Sequence, residues 1–250
     1  MRIWICLVCC LLLFACDSEE ANDCLQTSGA LVQQEFAVPV FTKIRTEQDM
    51  RLLLKEGPEQ QVIIETGANL LNDVEVEVVD GVLALRNKNR CNLFREYEIT
   101  RAIVTAPNIT ELRNGSGLEI QSDGVLNYPS LTLVSNTSID VEGIRKSGVF
   151  DLQVNTERLI IRTNGLSVFY IQGQTELLDI RFDDEQPRLE GANLIAQEVQ
   201  FFHRGANDMI VHPVQALRGT LVSTGNVIAV NRPPIVEVDA QFTGSLIFQD

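Results

Sequence analysis

The sequence predicts an all-β fold, a solenoid of short stacked coils, and three observations predict it. Apolar residues alternate with a period of two, as on a strand with one face buried. Gly, Asn, Asp and Pro divide them into short runs. In the second half one such run recurs at near-constant spacing, which is how a repeat architecture shows itself.

The elements follow in order from Phe36. Met50-Arg51-Leu52-Leu53-Leu54 ends at Glu56-Gly57-Pro58 and is followed by Gln61-Val62-Ile63-Ile64-Glu65, which reads as two strands joined by a turn. Residues 68–73 fit one short helical turn. Val74-Glu75-Val76-Glu77-Val78 alternates strictly, so its valines face inward and its glutamates face water. Asp80-Gly81 then turns the chain into Val82-Leu83-Ala84-Leu85. Residues 101–105 make a further strand, stopped by Pro107.

Beyond residue 108 the markers Leu118, Ile139, Leu159, Leu178, Leu194, Ile210, Ile228 and Leu246 recur at steps of 16 to 21 residues. One step holds two or three short strands, about one solenoid coil, and coils stacked at about 4.8 Å satisfy each other's backbone groups. No single coil can bury its apolar face, so the stack stabilises collectively. A period of two, not 3.6, disfavours helical repeats; an antiparallel sandwich uses the same strands and turns and is the second reading.

Composition narrows the function. The chain has 250 residues, 45% hydrophobic, which supports a sizeable core. Asp and Glu number 34 against 20 Lys and Arg, a net charge of −14, and such a surface repels phosphate backbones, so no nucleic acid partner is expected. Two histidines and one tryptophan leave little material for a His-based catalytic or metal centre. These counts favour a scaffold or binding protein over an enzyme.

The N-terminus points to export. Residues 3–14 form an uncharged apolar run too short for a permanent span, which needs about 20 residues. Leu13-Phe14-Ala15-Cys16 resembles the lipobox of bacterial lipoproteins. The resemblance implies a signal peptide over residues 1–15, cleavage before Cys16 and a diacylglyceryl thioether on its sulfur; an ordinary cleaved signal is the alternative. Lipid at Cys16 would hold the chain on a membrane, each buried methylene contributing about 0.8 kcal/mol. Asp17-Ser18-Glu19-Glu20 resembles the surface-export signals of Bacteroidota lipoproteins, and equally suits a solvated linker. Residues 16–35 are therefore read as a flexible lipidated tether and 36–250 as the folded domain. With Cys6, Cys9 and Cys10 in the signal and Cys16 lipidated, Cys24 and Cys91 remain as a pair in an oxidising compartment; a disulfide is the economical reading and two free thiols the alternative.

A family resemblance covers residues 36–250. It rests on Phe41-Thr42-Lys43-Ile44, Met50-Arg51-Leu52 ahead of Gly57, Asn69-Leu70-Leu71, Val76-Glu77-Val78, Asp80-Gly81-Val82-Leu83, the run from Ile103-Val104-Thr105-Ala106-Pro107 through Asn108-Ile109-Thr110-Glu111-Leu112, and Asn114-Gly115-Ser116-Gly117. These resemble the putative auto-transporter adhesin, head GIN domain family. The resemblance implies a right-handed parallel β-helix-like fold in exported Bacteroidota proteins, with no established ligand or active site.

Several residues were weighed for chemistry. Glu119 and Asp140 each follow a marker and would stand on neighbouring coils, close enough to share a Ca²⁺ ion as in β-helical polysaccharide lyases; alternation more simply turns both to solvent, and Ile160 breaks the ladder. Asp183-Asp184-Glu185 reads as a solvated loop. His203 and His212 match no zinc spacing. Phe169-Tyr170 and Phe201-Phe202 offer stacking surfaces for sugar rings, although alternation points one residue of each pair inward. Asn114, Asn136, Asn155 and Asn164 suit turns and could stack as amide ladders between coils.

The sequence thus predicts a non-catalytic lipoprotein of the bacterial cell envelope, anchored to the outer membrane through Cys16, with an adhesin-like surface for glycan or another surface partner. No catalytic residue, metal or cofactor is expected, and no ligand-binding residue is singled out. Open end coils favour self-association. A Ca²⁺-dependent polysaccharide-active enzyme and a purely structural envelope protein are the alternatives.

Overall fold

The computed structural model describes residues 24, 26–89, 91–92, 99–138 and 143–249. The signal segment, Cys16, Ile139 and Asp140 lie outside the described residues. The fold is all-β: among the described residues it is one sheet of 17 strands with a single short 3₁₀ turn. Among the described residues no helix is long and apolar enough to cross a membrane.

The N-terminal strands are β1 (Leu31–Glu35), β2 (Lys43–Glu47), β3 (Arg51–Glu56) and β4 (Gln61–Gly67), then, after the 3₁₀ turn Ala68–Asp73, β5 (Val74–Val79), β6 (Val82–Asn87) and β7 (Arg101–Ala106). They mix directions. β5 and β6 form an antiparallel hairpin whose turn, Asp80 and Gly81, takes φ of 50° and 73°, the left-handed pair that a tight two-residue hairpin requires. β3 and β4 are successive yet do not pair, because β7 lies between them, parallel to β3 and antiparallel to β4.

β1 corrects the tether boundary. Leu31–Glu35 pairs antiparallel with β4, Gln33 donates to Glu65 at 2.6 Å, and Gln26 is buried with its amide on the Asn69 carbonyl. The ordered body therefore begins before Phe36: the polar side chains of 26–35 find partners on β4 and the 3₁₀ turn. Cys24 and Cys91 are joined as a disulfide across 67 residues with their Cα atoms 4.5 Å apart. In the chain-entropy account a loop of that length contributes about 4 kcal/mol.

From β8 onward every pairing is parallel. β8 (Glu111–Gly115), β9 (Glu119–Leu126) and β10 (Ser130–Ser135) lead into the long strands β11 (Val149–Thr163), β12 (Val168–Phe182), β13 (Arg188–His203) and β14 (Met209–Leu221), followed by β15 (Val227–Ala229), β16 (Ile235–Ala240) and β17 (Leu246–Phe248). Each long strand lies along the next, Phe150 opposite Phe169 and Leu159 opposite Leu178. The same pairings put like positions in columns. One inner column runs Ile120, Phe150, Phe169, Leu189, Met209, Val227, Leu246. A second runs Leu112, Leu133, Ile161, Ile180, Phe201. These side chains fill the core, and within it Phe150 and Phe169 stack with centroids 4.8 Å apart and planes 9° from parallel.

The columns also correct the repeat. Ile210 stands opposite Ile228, but Leu178 stands opposite Val199, Leu194 opposite Gly173, and Ile247 rather than Leu246 opposite Ile228. Each long strand carries more than one inward ladder built from the same Leu and Ile runs, so a single marker slides from one ladder to another. The short steps of 16 residues come from that slippage.

Phe169 is wholly buried while its neighbour Tyr170 is 48% exposed. Phe169→Ala should therefore cost about 3–5 kcal/mol, through lost burial and the cavity left behind. Tyr170→Ala should stay within about 0.5 kcal/mol of the parent. Urea unfolding of the two variants checks both, and equal losses would contradict the inward and outward assignment.

Candidate functional site

The outer face of β9, β11 and β12 carries a concavity tied to a side-chain network. Val125, Gln153, Val154, Asn155, Gln172, Gly173 and Gln174 line a shallow groove of about 420 Å³. Alternation builds it: Gln153 and Asn155 point outward on β11 while Leu152 and Val154 point inward, and Tyr170, Gln172 and Gln174 point outward on β12. Register then sets Gln153 opposite Gln172 and Asn155 opposite Gln174.

Gly173 forms the floor. Its φ is +113°, and a Cβ there would stand 2.0 Å from the Val154 carbonyl oxygen, so no other residue fits without moving the backbone. The pairing of β12 with β13 shifts by one residue between Tyr170 and Gly173, a bulge carried by β13.

The amides are tied together along the edge of the groove. Gln174 Nε2 donates to Asn155 Oδ1 and Asn155 Nδ2 to Asn127 Oδ1, both at 2.9 Å. Asn127 in turn donates through its backbone N–H at 2.5 Å and its side chain at 3.1 Å to Glu56 Oε2. A second hollow, lined by Glu56, Gly57, Pro58, Pro107, Val125 and Asn127, adjoins the first through Val125. Glu56 is the only ionisable residue lining either hollow. Beneath them Tyr128 is fully buried and donates to the Ala106 carbonyl at 3.1 Å; burial and the nearby Glu56 charge push its phenol well above the usual range, so it stays a donor. Tyr170 sits two residues before Gln172 on the same outer face, with Asp151 and Glu190 as its ladder neighbours.

The other residues weighed from sequence are placed as follows. Glu119 stands opposite Val149, and its carboxylate lies 3.8 Å from the Arg51 guanidinium. Its described ladder partner on β11, Val149, is no carboxylate; Asp140 lies outside the described residues. Asp183 bonds Arg181 at 2.6 Å and Glu185 pairs with Lys146, so that loop is held by ion pairs. The two aromatic pairs do not meet: Phe169 and Tyr170 stand opposite Leu189 and Glu190, whereas Phe201 and Phe202 stand opposite Ile180 and Arg181. Phe202 is covered by the Arg181 guanidinium, 4.6 Å from its centroid.

Of the four asparagines read as ladder formers, only Asn155 joins an amide ladder. Asn114 bonds Ser116 and the Leu118 and Val149 carbonyls, Asn136 bonds Ser138 and Arg113, and Asn164 reaches Thr137. The groove residues Gln153, Gln172, Gly173 and Gln174 were missed by sequence reading. Their signal is a polar triplet, Gln153-Val154-Asn155 and Gln172-Gly173-Gln174, repeated at the 19-residue spacing that separates Phe150 from Phe169.

The two histidines lie on opposite faces. His203 is buried against the edge of the Phe182 ring, 5.5 Å between centroids, and its Nδ1 accepts the Gly205 N–H at 3.2 Å. His212 faces outward with Nδ1 3.0 Å from the Ala192 carbonyl. Among the described residues no three His, Cys, Asp or Glu side chains converge as a metal site would require.

These features give an all-β protein with an uncharged, amide-lined groove on one outer face. Residues 40–233 match the family described as putative auto-transporter adhesin, head GIN domain, and the chain belongs to that family. A putative adhesin from Bacteroides fragilis NCTC 9343 shares the fold with a TM-score of 0.77 at 16% identity, the match covering 89% of this chain and 99% of that one. A putative adhesin from Parabacteroides distasonis ATCC 8503 follows at 0.62 and 14%, covering 89% and 99%. A putative lipid binding protein from the same strain reaches 0.56 at 11%, covering 89% and 98%. At these identities the likeness is one of fold. No curated protein matches the chain.

Burial lowers the His203 pKa below its ordinary 6.5, outweighing the Asn207 and Asn226 carbonyls and the Asp208 charge that act the other way. The native state then binds fewer protons than the unfolded chain, so stability should fall as pH drops below about 6.5. Melting temperature followed from pH 7.5 downward checks this: the first part of the fall should flatten in His203→Gln, and an unchanged slope would show that other groups set it.

Proposed function

We propose that this chain is an envelope-anchored, adhesin-like binding module, wound as a right-handed parallel β-solenoid, that holds a neutral glycan along the outer face of β11 and β12. The single observation that carries the reading is the exposed Tyr170 ring beside four outward amides set around the Gly173 floor. The parallel pairings from β8 to β17 support the solenoid. Lipid at Cys16 supplies the anchor, and the domain works without catalysis.

The chemistry suits sugar hydroxyls. Each carboxamide offers donors and an acceptor, so paired amides at 153/172 and 155/174 can meet adjacent hydroxyls that both give and take hydrogen bonds. The Tyr170 ring presents an apolar face for the C–H side of a pyranose, with its own hydroxyl left in contact with water. The groove lining itself carries no charge, and the carboxylates around it, Glu56 in the adjoining hollow and Asp151 and Glu190 on either side of Tyr170, disfavour acidic sugars. Each hydrogen bond adds only about 0.5–1.5 kcal/mol net, so single-site affinity is modest. Many copies tethered on one membrane raise it by avidity.

A glycan array probed with the purified protein, with and without Ca²⁺ and followed by product analysis, tests the reading. The expected result is retention of neutral glycans without cleavage, and a drop of about tenfold for Tyr170→Ala, and for Gln172→Ala with Gln174→Ala. Binding that survives all three substitutions would move the site elsewhere, and Ca²⁺-dependent shortening of the glycan would make the protein an enzyme.

A further inference from the structure

The final strands leave the sheet open. β16 pairs with β14 along one side and β17 with β15 along one side, and among the described residues neither has a second pairing. A third inner column, Leu178, Val199, Leu217, Val236, reaches this end uncovered: Leu217 is wholly buried, whereas its ladder neighbour Val236 is 39% exposed. Four of the eleven exposed large apolar side chains, Ile235, Val236, Phe242 and Ile247, fall within residues 235–247. On the outer face the same edge is acidic, with Glu237 and Asp239 in line on β16. Arg218 bonds Glu237 at 3.0 Å but also pairs with Glu198 at 3.4 Å, so one guanidinium is shared between two carboxylates and the edge stays negative.

We infer that β16 is a docking edge for an extended segment of a protein partner whose residues alternate apolar and basic. The unpaired backbone of β16 supplies main-chain hydrogen bonds, as in other strand additions. Apolar residues of the incoming strand cover Val236 and Val238, and Lys or Arg on its other face meets Glu237 and Asp239. A second copy of this chain fits worse. Opposite residues of paired strands share a face, so registers that pair the whole of β16 with itself set Glu237 against Glu237 or Asp239 of the second copy. Shifting one way to avoid that contact runs the strand onto Pro233 and Pro234, which have no N–H to donate, and shifting the other way runs it past Ala240, where β16 ends.

The test uses the full chain and a fluorescein-labelled peptide alternating valine and lysine, with two controls: the same residues in two blocks, and a peptide alternating valine and glutamate. Anisotropy should show saturable binding of the first peptide alone, weakened about tenfold or more by Glu237→Lys with Asp239→Lys. Amide exchange of the unsubstituted protein should slow across 235–240 when that peptide is present, a readout independent of the variant's folding. Equal binding of the block peptide would reduce the effect to unspecific charge attraction and overturn the inference. Absence of binding would overturn it as well. So would sedimentation as a dimer with 235–240 already protected, which would make a second copy the occupant. Neutral glycans should not compete, so failure here leaves the groove reading to stand or fall on its own.

Discussion

The rest of this structure depends on one constraint: each long strand satisfies its backbone groups by lying parallel to the long strand that follows it in sequence. An unpaired N–H or carbonyl buried in the body would cost about as much as a lost hydrogen bond. Once the pairing is set, side chains at equal positions fall into columns without further instruction. Inner columns become continuous apolar rows, Phe150 on Phe169, Leu159 beside Leu178. Small hydroxyl residues bridge within the core, Thr156 to Thr175 at 3.0 Å and Ser135 to Ser167 at 2.6 Å, so their burial leaves no orphaned polar atom. The ends are treated differently: β1, β4 and β5 add an antiparallel layer at the N-terminal side, held further by the Cys24–Cys91 bridge, whereas β16 and β17 form the last parallel layer.

The same columns explain why a groove can arise on an outer face. Outward positions are free of packing demands, so a repeated polar triplet becomes a row of amides that bond to one another. A glycine with positive φ replaces a side chain that would strike the neighbouring carbonyl, and the neighbouring strand carries a bulge beside it. The result is a recess whose polarity comes from carboxamides rather than from charge, on a chain that is strongly acidic elsewhere.

Much of this was legible in the sequence. Val74-Glu75-Val76-Glu77-Val78 and the Asp80-Gly81 turn specify their hairpin locally, and residues 68–73 form the short turn that their pattern suggests. The family resemblance and the all-β class are likewise carried by local runs. Register was not legible, because it is a relation between segments. Leu194 and Leu178 look alike in sequence, yet one belongs beside Gly173 and the other beside Val199. The tether boundary failed for a related reason: Leu31–Glu35 is polar enough to read as solvated, and only β4 beside it makes it a strand. The site was half visible. Tyr170 stood out as an aromatic on an alternating run, while the amides around it mean nothing until Gln153 and Gln172 are brought side by side.

The most direct test of this account is the reactivity of single cysteines placed at each position from 169 to 175 toward a water-soluble thiol reagent. Inward and outward columns predict fast labelling at 170, 172 and 174 and slow labelling at 169, 171 and 175, with Gly173→Cys destabilising the fold. Uniform labelling along the segment, or fast labelling at 169 and 171, would contradict the columns and with them the groove.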